Sequence, residues 1–265
     1  MTKHPRLVIR VGGDSLSFST LVPATEQQVA FEPYTVRSGM SMAANLREAF
    51  KTGNTRERAG QRAMVLVDSP VLMVPIEEYS ESEQEVQYRH TITGHANDVV
   101  LAQVIPALNA VAVFSINKDL KLVVDDHFSD AKYGHVCTSV WAALHRRSFN
   151  GARQKLYGYF HDKKLEIVAF QKNRFKFCNS YSTTRVQDAV YFLLSVWKML
   201  NMDQNKDELH IVGNIPEKET MLEELRKFLH NVYAINPTAD LNRAPITQIK
   251  GFPYDLITHF VRSIH

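Results

Sequence analysis

Residues 155–214 constrain the fold most, because they combine strand-like runs with one long amphipathic helix in a fixed order. Residues 156–160 and 165–170 are apolar runs on either side of a polar turn, which predicts an antiparallel hairpin. Residues 174–177 alternate charged and aromatic side chains, which predicts a third strand with one buried face. This part of the chain is therefore expected to begin with a three-stranded meander.

A helix follows the predicted meander. Thr184 is placed to cap it, with Gln187 three residues later completing a capping box. Seven apolar residues then recur at three- and four-residue spacing, which gathers them on the side of the helix that faces a core. They are Val186, Ala189, Val190, Leu193, Leu194, Trp197 and Leu200.

A short apolar strand over residues 209–212 comes next and ends at Gly213 and Asn214. Pro216 suits the first turn of a further helix, because a proline at that position loses no helical hydrogen bond. The apolar stripe of that helix is predicted to comprise Met221, Leu222, Leu225, Phe228 and Leu229.

Composition excludes several classes of protein. With 265 residues, 45% of them hydrophobic and 22% charged, the chain is typical of a globular protein of one or two domains. The first residues lack the apolar core of a secretory signal, and no apolar run is long enough for a membrane span, so a cytoplasmic location is expected. Cys137 and Cys178 are far apart, which predicts buried small residues rather than a metal or redox pair.

The first part of the chain has its own series of strands and helices. Residues 63–67 are apolar at consecutive positions, which predicts a central strand covered on both faces. Residues 52–61 have no apolar period and are expected to form an exposed connection. The other predicted strands are 7–11, 15–21, 29–36, 71–76, 99–105, 110–115 and 134–138. The predicted helices are 41–50, 117–124 and 139–147, and the acidic segment 77–90 is expected to be helical after a cap at Ser80 or Ser82.

The hydrophilic stretch 146–154 is the expected domain boundary, giving an N-terminal lobe of residues 1–150 and a C-terminal lobe of residues 151–265. A last amphipathic helix, 253–264, is expected to pack back toward the N-terminal lobe. The order strand, turn, strand, third strand, helix, strand, helix begins at Leu7 and again at Leu156. This duplicated order resembles the actin-like ATPase fold, which implies two ribonuclease H-like lobes facing each other across a cleft. The expected fold class is thus α/β, with mixed sheets and flanking helices.

Four short segments of the second half give a closer resemblance. They are similar to an uncharacterised bacterial family whose function is unknown, so the chain is identified as a suspected member of that family. The segments are Tyr157-Gly158-Tyr159, Asn179-Ser180-Tyr181, Asp188 to Tyr191 and Val212-Gly213.

The resemblance to actin-like ATPases implies an aspartate on the first strand of each lobe and glycine-rich turns that approach phosphate groups. This chain has Arg10 and Tyr159 at the two aspartate positions. A magnesium ion that shares a site with a triphosphate needs carboxylates at short range, so hydrolysis is not expected. Glycine turns still leave room for backbone contact with a nucleotide. The candidate nucleotide contacts are Gly12, Gly13, Gly213 and Asn214.

The chain is therefore expected to be a catalytically degenerate actin-like protein without a metal site, which acts as a non-enzymatic binding or scaffold component for a protein partner. Cytoplasmic pilus-assembly components provide the analogy. The alternative is a switch that binds ATP and magnesium in the cleft between the lobes with little or no hydrolysis. Ribonuclease H-type nuclease activity requires clustered carboxylates that hold two metal ions. Near the second hairpin only Asp162 and Glu166 are available, so this activity is not expected.

Two further patterns receive ordinary interpretations. Residues 125–127, Asp-Asp-His, are expected to form a solvated loop rather than a metal site, because adjacent residues of an extended chain point to opposite sides. Basic residues cluster at 56–62, 146–155 and 163–176, the last interleaved with aromatic residues that could stack on single strands. Alternation favours the solvent side of a sheet instead, so nucleic-acid binding is not expected.

Overall fold

The computed structural model describes residues 6–22, 28–52, 62–149, 151, 153–172, 174–241 and 243–264. It divides into two compact units. Unit 1 comprises Met1–Thr138 with Gln248–Lys250, and unit 2 comprises Ser139–Thr247 with Gly251–His265. The domain division at residue 150 and the packing of the last helix toward the N-terminal lobe stay predictions.

Unit 1 is built on a five-stranded mixed sheet and a smaller antiparallel sheet. Its strands are β1 (Leu7–Val11), β2 (Leu16–Leu21), β3 (Val29–Tyr34), β4 (Arg62–Val67), β5 (Val71–Pro75), β6 (Asp98–Ile105), β7 (Ala110–Asn117) and β8 (Asp130–His135). Its helices are α1 (Met42–Thr52), α2 (Gln84–Thr91) and α3 (Lys118–His127), with a short 3-10 turn at Pro106–Leu108.

The larger sheet of unit 1 has the order β3-β2-β1-β4-β8. The first three strands are antiparallel, and β4 and β8 run parallel to β1. Alternate side chains of β1 and β4, such as Ile9 and Val65, are buried with Leu46 of α1 and Val124 of α3 in one apolar core. The central position predicted for residues 63–67 is confirmed, because β4 pairs with a strand on each side.

The smaller sheet of unit 1 is antiparallel, with the order β5-β7-β6. Helix α2 contributes Tyr88 to an apolar cluster with Val74, Val111 and Val113 of this sheet. The sequence predicts a helix in the acidic segment after a cap at Ser80 or Ser82, and α2 begins slightly later, at Gln84, with Glu83 as the residue before it.

Unit 2 contains one five-stranded mixed sheet, with the order β11-β10-β9-β12-β13. Its strands are β9 (Lys155–His161), β10 (Lys164–Gln171), β11 (Arg174–Ser182), β12 (Glu208–Gly213) and β13 (Val232–Ala234). Its helices are α4 (Thr138–Ser148), which begins at the border of unit 1, α5 (Val186–Met199), α6 (Lys218–Arg226), α7 (Pro237–Asp240) and α8 (Tyr254–Ile264), with a 3-10 turn at Pro245–Gln248.

The predicted meander is confirmed: β9, β10 and β11 are antiparallel neighbours, and β12 runs parallel to β9. The β9–β10 turn has two residues in the left-handed region, Asp162 with φ 41° and Lys163 with φ 61°. Two positive φ values match the turn that best fits the right-handed twist of a hairpin. The turn therefore adopts this conformation without a glycine.

Helix α5 confirms the predicted apolar stripe, since Val186, Ala189, Leu193 and Trp197 are all buried in the core of unit 2. The predicted capping box is wrong. Arg185, not Thr184, is the residue before the helix, and its side chain makes no capping hydrogen bond.

Helix α6 departs from its prediction at both ends. It begins at Lys218, after Glu217 in the left-handed region at φ 41°, so Pro216 precedes the helix instead of occupying its first turn. Met221, Leu222, Leu225 and Leu229 are buried, but Phe228 is 55% exposed. Because α6 ends at Arg226, the helical spacing that would turn Phe228 inward no longer applies there.

Other predictions are settled by the same geometry. The strand expected at 134–138 is β8, which starts earlier and leaves Thr138 to begin α4. The exposed connection expected at 52–61 lies, from residue 53 on, outside the described residues. Within the described ranges, no helix is long and apolar enough to cross a bilayer.

Candidate functional site

One face of the unit 2 sheet is polar although it is buried. Alternate residues of a strand point to the same face of a sheet, and Leu156 and Phe160 of β9 face the apolar core. The residues of β9 on the opposite face are at most 5% exposed: Lys155, Tyr157, Tyr159 and His161. Buried polar groups need hydrogen-bond partners, and buried titratable groups often mark functional sites. This face is therefore the candidate functional site of unit 2.

Tyr159 connects β9 to the last helix. Its Oη atom donates a hydrogen bond to Asp255 Oδ2 over 2.8 Å, and Asp255 is fully buried in the first turn of α8. The backbone oxygen of Asp255 accepts hydrogen bonds from Ser139 Oγ at 3.1 Å and Thr258 Oγ1 at 3.0 Å. The Tyr159 ring stacks on His161, with 4.7 Å between ring centroids. The tyrosine is thus held by a buried network of side chains.

Glu166 of β10 lies directly opposite Tyr159 in the strand register and is 3% exposed. Its Oε1 atom is 3.7 Å from His161 Nε2, which is longer than a hydrogen bond. Its Oε2 atom has no hydrogen-bond partner among the described residues. His161 and Glu166 offer two ligand atoms of the kind that zinc accepts, but a protein zinc site uses three or four, so this pair alone does not make one.

The other end of the polar face contains a histidine–glutamate pair on β12, with a lysine of β9 beside it. His210 Nε2 lies 2.9 Å from Glu208 Oε2, and Lys155 Nζ lies 3.9 Å from the same oxygen. Burial lowers the pKa of His210, although Glu208 acts in the opposite direction. Burial also lowers the pKa of Lys155. The Tyr157 ring stacks on His210, so this end is filled by the unit's own side chains.

Gly12 and Gly13, two of the predicted nucleotide contacts, lie in the turn between β1 and β2 of unit 1. Gly12 N donates a hydrogen bond to Ser15 O over 2.8 Å. A Cβ atom at Gly13 would meet nothing within 4 Å, and the φ of Gly13 is not in the left-handed region. The fold therefore does not require glycine at position 13. Arg10, which precedes this turn, is 3% exposed and donates from Nη1 to Ser15 Oγ over 2.8 Å.

Gly213 and Asn214, the other two predicted contacts, lie at the end of β12 in unit 2. Gly213 has φ +97°, and a Cβ atom there would come within 2.2 Å of Phe160 O and 2.9 Å of the Tyr159 ring. Asn214 N donates to the same Phe160 oxygen over 2.8 Å. The fold itself therefore requires glycine at position 213, whether or not a ligand binds.

The four predicted contacts form two pairs, one in each unit, and each pair lies where a strand of its sheet ends. Their role as nucleotide contacts stays a prediction. Three residues of the polar network of unit 2 match no recognisable motif in the sequence: His161, His210 and Asp255. The signal that could have found part of it is the alternation of polar or amphipathic residues along β9, at the positions between its apolar ones.

The interpretation of residues 125–127 as a loop is wrong. These residues form the last turn of α3, because the helix continues to His127. Asp125 accepts hydrogen bonds from Lys121 and from Tyr133 Oη, each over 2.5 Å. Burial alone would raise the pKa of Asp125, but these two donors and the charge of Lys121 together lower it below its usual value. Asp125 thus has local partners that explain its position.

The remaining candidate chemistry is modest. Cys137 is buried and Cys178 is partly buried, and burial raises the pKa of the Cys178 thiol, so that thiol is not activated.

A surface groove of about 670 Å³ lies in unit 1 between α2 and the start of α3. Arg89 in this groove already pairs with Glu85 and donates to the backbone oxygens of His95 and Asp98, so its donors are occupied within the protein.

Comparisons with known proteins address the fold. The family model described as "Protein of unknown function (DUF3822)" matches residues 2–232. No curated protein matches the chain. A solved structure from Bacteroides thetaiotaomicron VPI-5482, a protein with an actin-like ATPase fold and unknown function, is 25% identical and has a TM-score of 0.81, with 94% of this chain and 97% of that chain covered.

A chain of the PilM-PilN type IV pilus biogenesis complex is 13% identical and has a TM-score of 0.60, with 98% of each chain covered. Both likenesses extend over nearly the whole chain. The mixed α/β architecture and the actin-like ATPase fold expected from the sequence are therefore confirmed.

Proposed function

We propose that this chain, which belongs to DUF3822, a family of unknown function, is a non-hydrolysing actin-like protein that works by binding a protein partner. A cytoplasmic location is part of the proposal. The single observation that carries it is the state of position 159. A tyrosine there is buried and donates its hydroxyl hydrogen to Asp255 within the same unit.

The chemistry of magnesium explains why this observation matters. A magnesium ion bound together with nucleotide phosphates takes carboxylate oxygens and water as its ligands. The resemblance to actin-like ATPases places those carboxylates at positions 10 and 159. Arg10 brings a positive charge instead, and it is engaged with Ser15. Tyr159 brings a phenol whose proton is already donated. Neither β1 nor β9 contains an Asp or Glu, which supports the proposal.

Partner binding is supported by the fold and by one neighbour. The PilM-PilN structure is, by its description, a complex for type IV pilus biogenesis, so a chain of similar fold occurs together with another protein. For the present chain this is an analogy of fold, a weaker argument than the geometry of a site. It favours the role of a scaffold over that of an enzyme.

A nucleotide-dependent switch is the second candidate, and Gly13 is the observation that favours it. The turn after β1 is open beside Gly13, and the fold alone does not explain the glycine. An open glycine turn lets backbone amides approach phosphate groups. In this alternative, ATP with magnesium binds with little or no hydrolysis.

Thermal unfolding of the full chain with and without millimolar ATP, ADP and magnesium separates the two candidates. A ligand at about 100 times its Kd stabilises the folded state by about 2.7 kcal/mol, which corresponds to several degrees. The scaffold proposal predicts no shift. A rise of several degrees that Gly13→Val abolishes would replace the scaffold with the switch.

A further inference from the structure

Strand β11 forms a long edge of the unit 2 sheet. It spans nine residues, Arg174–Ser182, and in the described part of the chain it pairs with β10 alone. Proteins usually protect such edges with proline, charge or short strands. In the sheet of unit 1, the edge strand β3 contains Pro33, and at the other edge of the unit 2 sheet β13 has only three residues. The β11 edge has neither a proline nor a short strand, and its charged side chains, Arg174 and Lys176, lie within its first three residues.

The part of β11 that can accept a further strand is defined by its register. Ala169 pairs with Phe177 and Phe170 pairs with Phe175, so Lys176 is the extra residue of a β-bulge. Beyond the bulge the pairing with β10 is regular up to Ser182. We call residues 177–182 the open edge.

The main-chain N–H and C=O groups of alternate residues in the open edge point away from β10. Thr183 N donates to Lys163 O over 2.9 Å, toward the β10 side of the hairpin. Main-chain groups alternate in direction along an antiparallel strand. Those that point away from β10 therefore belong to Cys178, Ser180 and Ser182. In agreement, Ser180 N donates to the side-chain oxygen of Asn179 over 2.9 Å, where a further strand would supply a carbonyl.

Helix α5 provides an aromatic wall next to the open edge. The Tyr181 ring stacks on Phe192 of α5 with 4.4 Å between centroids. The ring centroid of Tyr191 lies 5.5 Å from that of Phe192, and Tyr191 is 66% exposed, so it extends the Tyr181–Phe192 pair with an exposed ring. An edge strand with a helix beside it is the arrangement in which peptides bind by strand addition, with alternate side chains contacting the wall.

The charges at this edge indicate the kind of segment that fits. The charged side chains of β11 are Arg174 and Lys176, both exposed, and exposed Lys172 and Arg185 flank the strand. A second copy of the chain would bring the same positive charges to the edge. An acidic segment would be attracted to them, which also favours its correct encounter.

We propose that the open edge of β11 binds an extended acidic segment of a partner protein as an added strand, with apolar side chains of that segment against Tyr191. This inference rests on the proposed function, because it specifies how the partner is held. The backbone of the partner provides the affinity through main-chain hydrogen bonds. Its acidic side chains provide the selectivity.

Fluorescence anisotropy of the full chain with two labelled peptides tests this proposal. The first is a peptide of about ten residues that alternates Glu and Val, and the second replaces every Glu by Lys. The Glu-Val peptide should bind and the Lys-Val peptide should not. Ser180→Pro removes an outward N–H without removing a hydrogen bond to β10, so it should weaken binding at least about tenfold. Ser180→Ala, which keeps that N–H, should change affinity by less than about twofold.

Charge reversal provides a test that keeps the backbone intact. With Arg174→Glu and Lys176→Glu together, the chain should lose the Glu-Val peptide and gain affinity for the Lys-Val peptide. No binding of the Glu-Val peptide at about 1 mM would overturn the proposal, as would binding that Ser180→Pro leaves unchanged. A dimer in sedimentation that Ser180→Pro dissociates would assign the edge to a second copy instead. A nucleotide-induced thermal shift would count against the proposed function and not against this edge, so the two failures are distinguishable.

Discussion

Gly213→Ala is the substitution whose cost can best be worked out from the geometry. The residue has φ +97°, a conformation that only glycine adopts without strain, and an added Cβ would lie 2.2 Å from Phe160 O. The strained backbone costs about 1–3 kcal/mol. Moving the Phe160 carbonyl away also weakens the hydrogen bond from Asn214 N, worth about 1 kcal/mol. The free energy of unfolding should therefore fall by about 2–4 kcal/mol.

Urea unfolding followed by tryptophan fluorescence is the appropriate assay, because both tryptophans of the chain, Trp141 and Trp197, belong to unit 2. Gly251→Ala is the matched control. Gly251 is also in unit 2 and has φ +72°, but a Cβ atom there would meet nothing within 4 Å. It should cost only the backbone strain, about 1–2 kcal/mol. If Gly213→Ala were no more destabilising than Gly251→Ala, the conclusion that the fold requires glycine at 213 would be refuted.

Three further results are expected. Tyr159→Phe removes a buried donor to Asp255 and should lower the free energy of unfolding in urea by about 1–3 kcal/mol. Tyr233→Phe, at a side chain that is 45% exposed, should lower it little, and equal losses would contradict the network. Burial lowers the pKa of His210, so the unfolded chain takes up this proton first as the pH falls below about 6.5, and stability should decrease there by at most about 1.4 kcal/mol per pH unit. His210→Gln should flatten that slope below about pH 6.5, and an unchanged slope would assign it to other groups. Asn117 accepts from two amides at the start of α3, so Asn117→Ala should lower unit 1 stability by about 1 kcal/mol in circular dichroism, and no loss would show that the cap is not stabilising.

The secondary structure was readable from the sequence where one physical signal dominates. Consecutive apolar residues identified β4 as central, and the helical stripe that includes Leu193 identified α5. Helix ends were less predictable. Thr184 had the right chemistry for a cap, but the helix starts after Arg185, because the preceding strand β11 continues to Ser182 and the connection is short. The path of the chain, and not the capping preference of Thr184, therefore decides where α5 begins.

The polar face of unit 2 could be predicted only in part. Along β9 the sequence shows aromatic and polar residues at alternate positions, a pattern that normally indicates a solvated face. The partners that allow His210 and Tyr159 to be buried come from elsewhere, Glu208 on the same strand as His210 and Asp255 about a hundred residues after Tyr159 in the chain. Such a contact depends on the tertiary fold and leaves no spacing to detect. Gly213 had been interpreted as a candidate ligand contact, and only the geometry at Phe160 O revealed its structural role.

Phosphate release from ATP by the full chain, measured with magnesium and again after chelation of magnesium, tests the central claim most directly. The resemblance to actin-like ATPases places carboxylates at the positions of Arg10 and Tyr159, so the proposed function predicts the same background release in both conditions, with Tyr159→Phe no different. Magnesium-dependent turnover above that background would contradict it, and would mean that other carboxylates of this chain hold the metal.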